Sequence, residues 1–171
     1  EGHLGTAERM LRSCRTELRR CLWDLRYEAL DNPDLAEALR QTLEPVLGEA
    51  TPLIDTDVRR SLLDDMRTHA ALSIVRELVS NAVQHGHART VRIVGRIRDD
   101  ELCVSVSDDG GGFDPGTAPG MSAGHFGLVG IRDRVRSLGG DFTIASAVGK
   151  GCTAVFSLAL KDISHDTQTN G

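Results

Sequence analysis

The sequence predicts an α/β two-layer sandwich: a mixed, mostly antiparallel sheet with helices on one face, preceded by a long N-terminal helix. Three observations point there. Residues 68–86 carry apolar side chains at helical spacing, residues 91–107 alternate apolar and polar side chains as two strands joined at Asp99-Asp100, and helical and strand-like stretches follow one another with no βαβ repeat.

The first element, residues 4–25, places Leu4, Ala7, Leu11, Cys14, Leu18, Cys21 and Leu25 at alternating steps of three and four. That heptad seam asks for a partner helix, as half of a helical bundle, although an amphipathic helix packed on its own domain would show the same pattern. Its outer positions carry Arg9, Arg12, Arg15, Arg19, Arg20 and Arg26 against Glu8, Glu17 and Asp24, so the helix is basic within an acidic chain. Asp31-Asn32-Pro33-Asp34 breaks it and offers Asn32 or Asp34 as a cap for a second helix, Leu35 to about Leu47, in which Pro45 marks a kink or an early stop. A short strand is expected over Thr51 to Asp57.

The central helix is expected over Thr68 to Gly86. Ala71, Leu72, Val75, Leu78, Val79, Ala82 and Val83 form a broad apolar sector. Glu77, Asn81 and His85, spaced i, i+4 and i+8, form one polar stripe along its edge. Alone, that stripe reads first as the wet side of a surface helix, and the motifs downstream reverse that weighting. In the hairpin that follows, Val91, Ile93 and Ile97 face the same side as Leu102, Val104 and Val106, and Asp108 continues their parity, so its carboxylate points toward the covered side. Burial there is costly unless a partner satisfies it.

Next comes a glycine-rich segment, with twelve of the 18 glycines between residues 110 and 151, suited to close ligand approach and to movement. Leu128, Ile131, Val135 and Leu138 restore a helical pattern that Gly139 stops. Phe142 and Ile144 open a third strand of the sheet core; Ala154, Phe156, Leu158 and Leu160 line a fourth, and residues 161–171 form a polar tail. The expected division is residues 1–30, 31–160 and 161–171.

Composition bounds the function. The chain has 171 residues, 40% hydrophobic and 26% charged, enough for one soluble globular domain with an appended element. A net charge of -5 and few aromatic residues argue against direct nucleic-acid binding, which needs a basic face and stacking platforms. Cys14, Cys21, Cys103 and Cys152 lack CxxC spacing and read as small thiols of a reducing cytosol. No run of 18 apolar residues and no signal-peptide pattern occurs. The expected location is cytoplasmic, with any membrane attachment carried by parts outside this sequence. A P-loop and a GxGxxG fingerprint are missing, no nucleophile elbow supports Ser/His/Asp catalysis, and His85 with His87 has no nearby third metal ligand.

Four motifs in order carry a resemblance: RELVSNAVQH at 76–85, DDGGG at 108–112, GHFGLVGIRDR at 124–134 and GKGCT at 149–153. They resemble the asparagine box, the two glycine boxes and the closing glycine motif of the ATP-binding domain shared by sensor histidine kinases, Hsp90-type chaperones, type II topoisomerases and mismatch-repair ATPases. Upstream, residues 21–45 are similar to the second dimerisation helix and linker of histidine kinases that partner response regulators with a LuxR-type helix-turn-helix output. The resemblance implies the Bergerat fold, with ATP and Mg²⁺ as cofactors, a homodimer formed through the N-terminal helix, and a response-regulator partner.

Carried over by position, the resemblance makes Asn81 the Mg²⁺ ligand and Asp108 the acceptor for the adenine amino group. An amide oxygen suits a hard cation, and a ligand that satisfies Asp108 offsets its burial. Gly110 and Gly112 let the backbone pass near the base, and Gly127, Leu128 and Gly130 open a helix whose free N–H groups suit phosphate oxygens. His85 and Arg132 are further candidate phosphate contacts. Thr153 resembles the family threonine near adenine. Glu77 either activates water, as in the ATPase relatives, or orients Mg²⁺ and its waters, as in the kinases.

The family's phospho-accepting histidine helix is not matched. His3 sits at the terminus and His165 in the polar tail, so no acceptor is expected in this chain. The resulting expectation is a protein-histidine kinase catalytic module. An anti-sigma-type serine kinase would lack the basic heptad helix, and a nucleotide-binding dimerisation scaffold would not need Asn81, Asp108 and the glycines intact.

Overall fold

The computed structural model describes residues 32–114 and 126–160. The heptad seam, Cys14, Cys21, His3, His165 and the glycines at 116, 120 and 124 lie outside them.

Helix α1 spans Leu35–Leu47. The Asp34 carboxylate caps it, accepting from the Ala36 N–H at 2.8 Å, while Asn32 steadies the cap by accepting from the Asp34 N–H. The helix ends two residues past Pro45, with Gly48 beyond it at a φ of 55°. Its buried stripe is Leu35, Ala38, Leu39 and Leu43.

Helix α2 spans Asp65–Gln84 and starts three residues earlier than its apolar periodicity indicates. Asp64 is the reason: its carboxylate accepts from the Arg67 N–H at 2.7 Å. Arg67 is only 3% exposed, and its guanidinium donates to Asp64 and to the Ala159 carbonyl at the far end of the sheet. Ala71, Leu72, Val75, Leu78, Val79 and Ala82 are buried as the periodicity requires, whereas Val83 is half-buried. Helix α3, Phe126–Ser137, buries Ile131 and Val135. It stops in a Schellman turn, the Gly139 and Gly140 N–H groups donating to Arg136 and Val135 and Gly139 at a φ of 70°.

The strands are β1 (Thr51–Thr56), β2 (Thr90–Arg98), β3 (Glu101–Asp108), β4 (Phe142–Ser146) and β5 (Cys152–Ala159), in the order β1-β2-β3-β5-β4. β1 pairs parallel with β2, and the other neighbours are antiparallel. Asp99 and Asp100 both take positive φ, 50° and 61°, closing the β2–β3 hairpin with the twist that its strands require. Aspartate tolerates that region better than bulkier side chains do. Val91, Ile93, Leu102, Val104, Val106, Ala154, Phe156 and Leu158 are all buried, and the alternate residues Arg92, Thr153 and Val155 are exposed. Each fully buried aliphatic or aromatic side chain in this layer contributes about 1.5–3 kcal/mol. The fold is therefore one helical layer on one sheet. Among the described residues, no helix is long and apolar enough to cross a membrane.

Candidate functional site

The site is built where the end of α2, the end of β3, the start of α3 and the β4–β5 turn converge. β3 ends in Asp108, half-buried on the helix-covered side as its parity demands. Its Oδ1 accepts from the Gly110 N–H at 2.9 Å, and the Cys152 N–H donates to the same carboxylate. Burial nevertheless pushes the carboxyl above the ordinary value, and the two N–H groups only offset part of that. A carboxylate so placed gains from a ligand donor.

Glycine is required around it for space. A Cβ on Gly110 would stand 2.6 Å from the Gly86 carbonyl and 2.9 Å from Asp108 Oδ1. Gly112 combines a φ of 58° with backbone contact, since a Cβ there would collide with the Ala147 carbonyl. The turns are tied together. Gly111 N–H donates to Gly86 O at 2.7 Å, Gly149 N–H to Gly111 O at 2.6 Å, and Phe113 N–H to Ser146 Oγ at 2.9 Å. The Ser146 hydroxyl donates onward to the Gly151 carbonyl at 3.0 Å.

On α2, Glu77 is exposed and Asn81 half-buried. His85 lies at the C-cap with backbone angles still helical, so the stripe runs unbroken to the helix end. His87, at a φ of 52°, turns the chain toward β2. With Glu77 and His85 exposed and Asn81 half-buried, the stripe reaches the surface along its length. Gly127 and Leu128 fall in the first turn of α3, where N–H groups lack helical acceptors, while Gly130 lies a turn further in. Gly127 packs directly against Glu77, whose carboxylate a Cβ there would strike. Arg132 is exposed on α3.

Thr153 requires correction. It is exposed and pairs with Ser107, on the sheet face opposite Asp108. Cys152, one residue earlier, shares the covered face with Asp108, and its thiol is pushed up to about 11, by burial first and then by the Asp108 carboxylate. The alternation that ends in Ala154, Phe156 and Leu158 already carried this assignment; matching by residue type alone missed it. Asp109 was likewise missed. Its Oδ1 accepts from the Arg89 and Thr90 N–H groups at 2.8 and 2.9 Å.

These residues fit a magnesium nucleotide. Asp108 is a buried-side acceptor in a cradle that only glycine leaves open, Asn81 is a hard amide donor, and the α3 N-terminus presents N–H groups toward anions. The fold and site thus define a two-layer nucleotide-binding domain.

Comparison with known proteins agrees. The family described as Histidine kinase-, DNA gyrase B-, and HSP90-like ATPase matches residues 67–162. The chain belongs to that family, and its described part is the ATP-binding catalytic domain of a sensor histidine kinase. The histidine-protein kinase/phosphatase UhpB of Salmonella typhimurium is 32% identical over 135 residues, covering 77% of this chain and 26% of UhpB. The sensor histidine kinase NarS of Mycobacterium tuberculosis is 31% identical over 162 residues, covering 92% of this chain and 37% of NarS. The chain therefore spans about a quarter to just over a third of the length of these relatives. Two solved structures share the fold. The histidine kinase domain of the Erythrobacter litoralis blue-light activated kinase gives a TM-score of 0.61 at 20% identity, covering 74% of this chain and 61% of that one. The catalytic domain of histidine kinase ThkA gives 0.57 at 17%, covering 73% and 90%.

Proposed function

We propose that this chain binds Mg-ATP and presents its γ-phosphoryl group to a histidine on a dimerisation helix not carried among these residues, for relay to an aspartate of a response regulator with a helix-turn-helix output. The observation that carries the reading is Asp108, held on the covered face by the Gly110 and Cys152 N–H groups yet still short of a full set of partners. Its free acceptor capacity suits the exocyclic amine of adenine.

Each residue has a part in this reading. Asn81 Oδ1 would hold Mg²⁺, which when bound neutralises phosphate charge and orients the β- and γ-phosphates. Glu77, exposed one turn earlier on α2, would orient the waters of a bound ion rather than ionise a nucleophilic water. Gly127, Leu128 and Gly130 open a helix whose free N–H groups suit phosphate oxygens, and His85 and Arg132 are further candidate phosphate contacts. The γ-phosphoryl passes to an imidazole nitrogen, leaving ADP, with the chain's contribution being positioning and charge stabilisation.

The proposal takes residues 31–160 as the catalytic domain and residues 1–30, which lie outside the described residues, as a partial dimerisation helix that would form a homodimer, in a cytoplasmic setting with any membrane anchor elsewhere. Equilibrium dialysis with ATP, with and without Mg²⁺, tests the reading on the wild type and on Asn81→Ala. Wild type should bind ATP more tightly with Mg²⁺, and Asn81→Ala should lose that gain of about tenfold while keeping metal-free binding. An Asn81→Ala variant that retains the whole Mg²⁺ effect contradicts it.

A further inference from the structure

Asp109 follows the nucleotide-facing Asp108, but its side chain turns away from that role. Its Oδ1 accepts from both the Arg89 N–H, at 2.8 Å, and the Thr90 N–H, at 2.9 Å, and its own N–H donates to the Thr90 carbonyl at 3.3 Å. Two residues on, the Gly111 N–H donates to the Gly86 carbonyl at 2.7 Å, and Gly110 lies too close to that carbonyl to carry a side chain. The turn leaving α2, residues 85–90, is thereby sewn to the turn leaving β3, residues 108–111.

The two turns carry opposite ends of the site. Asn81 and His85 stand on the last turn of α2, and the Asn81 carbonyl accepts from the His85 and Gly86 N–H groups, so the amide-bearing turn and Gly86 move together. Asp108 stands at the end of β3, opposite Val91 in the register. Exposure of the Asp109 carboxylate does not weaken this geometry, because both donors are backbone N–H groups, one on Arg89 and one on Thr90, the first residue of β2. Those same N–H groups, Thr90 foremost, hold its carboxyl below the ordinary value.

We propose that Asp109 is a positioning residue that couples the phosphate-and-metal end of the site, at Asn81 and His85, to the adenine end at Asp108. The inference rests on the nucleotide-binding reading above and deepens it. Without the Asp109 carboxylate the two ends still exist, but their separation is no longer fixed, so a ligand that spans them gains less from engaging both.

The test compares adenosine, which reaches only the adenine end, with the magnesium complex of a non-hydrolysable ATP analogue, which spans both. Affinities are measured calorimetrically for wild type, Asp109→Ala and Asp109→Asn, with melting temperatures alongside. Asp109→Ala should leave adenosine binding within about twofold and weaken the magnesium nucleotide by about tenfold, within the usual range of coupling between sites. Asp109→Asn, whose amide oxygen can still accept from both N–H groups, should restore the spanning ligand to within about threefold. A purely structural role would move both ligands together, in step with the melting temperature, and would overturn the proposal. Should Asp109→Ala not fold, Asp109→Glu, which displaces the acceptor by one methylene, takes its place with the same expectation. Wild type binding neither ligand would fell the nucleotide reading itself, whereas wild type binding both with Asp109→Ala indistinguishable from it would fell only the coupling.

Discussion

Cys152 and Asp108 stand on the covered face of neighbouring strands, the Cys152 N–H donating to the Asp108 carboxylate. The thiol is pushed up to about 11, so at mildly alkaline pH it holds on the order of a hundredfold less thiolate than an ordinary cysteine. Alkylation by iodoacetamide, followed on a Cys14→Ser, Cys21→Ser, Cys103→Ser background, should be correspondingly slow. Mg-ATP should slow it further, because the base would lie against this face. Labelling as fast as that of a free thiol, and indifferent to nucleotide, would place Cys152 elsewhere.

Burial raises the Asp108 pKa above its unfolded value. A carboxyl shifted upward is harder to ionise in the folded chain, so its contribution to stability declines as pH rises from the ordinary carboxylate range through the raised value. Asp108→Asn removes that decline. The melting temperature of wild type relative to Asp108→Asn should therefore fall as the pH is raised above the ordinary carboxylate range, about pH 4. A relative rise over the same interval would mean that the carboxylate is net stabilised by its N–H partners.

Gly112 is a backbone requirement of the site. Its φ of 58° and its contact with the Ala147 carbonyl both disfavour a Cβ. Gly112→Ala should cost roughly 1–3 kcal/mol, read from urea denaturation, by forcing the β4–β5 turn outward. Unchanged stability would show that the turn yields freely.

Arg67 ties the start of α2 to the end of β5 through Asp64 and the Ala159 carbonyl. Arg67→Ala should destabilise by about 2 kcal/mol, chiefly by removing the donor to that half-buried carbonyl, since Asp64 is half exposed and regains water. Thermal unfolding checks this, and an effect below about 0.5 kcal/mol would assign the contact to surface packing.

Much of this was legible in the chain because periodicity encodes burial. The parity of Val104 and Val106 places Asp108 on the covered side, and the 3.6-residue spacing puts Glu77, Asn81 and His85 on one stripe. The start of α2 was less legible: Asp65, Met66 and Arg67 carry no apolar period, and only the capping bond from Asp64 marks the boundary. The parallel pairing of β1 with β2 leaves no local trace, since alternation gives a strand's faces but not its partner. Thr153 was misplaced because the closing motif was matched by residue type when the parity of Ala154 and Phe156 already turned it outward. Asp109 escaped because its partners, the Arg89 and Thr90 N–H groups, are backbone atoms that any sequence would carry.

The most direct test of the account is calorimetric titration of a non-hydrolysable ATP analogue with Mg²⁺ into wild type and Asp108→Asn. Wild type should bind in the micromolar to submillimolar range. Asp108→Asn, which presents an amide N–H₂ or a weaker acceptor to the adenine amine, should bind more than about tenfold less tightly, a loss of about 1.4 kcal/mol. Equal affinity in the two proteins would remove Asp108 from the adenine site and contradict the assignment of this cleft.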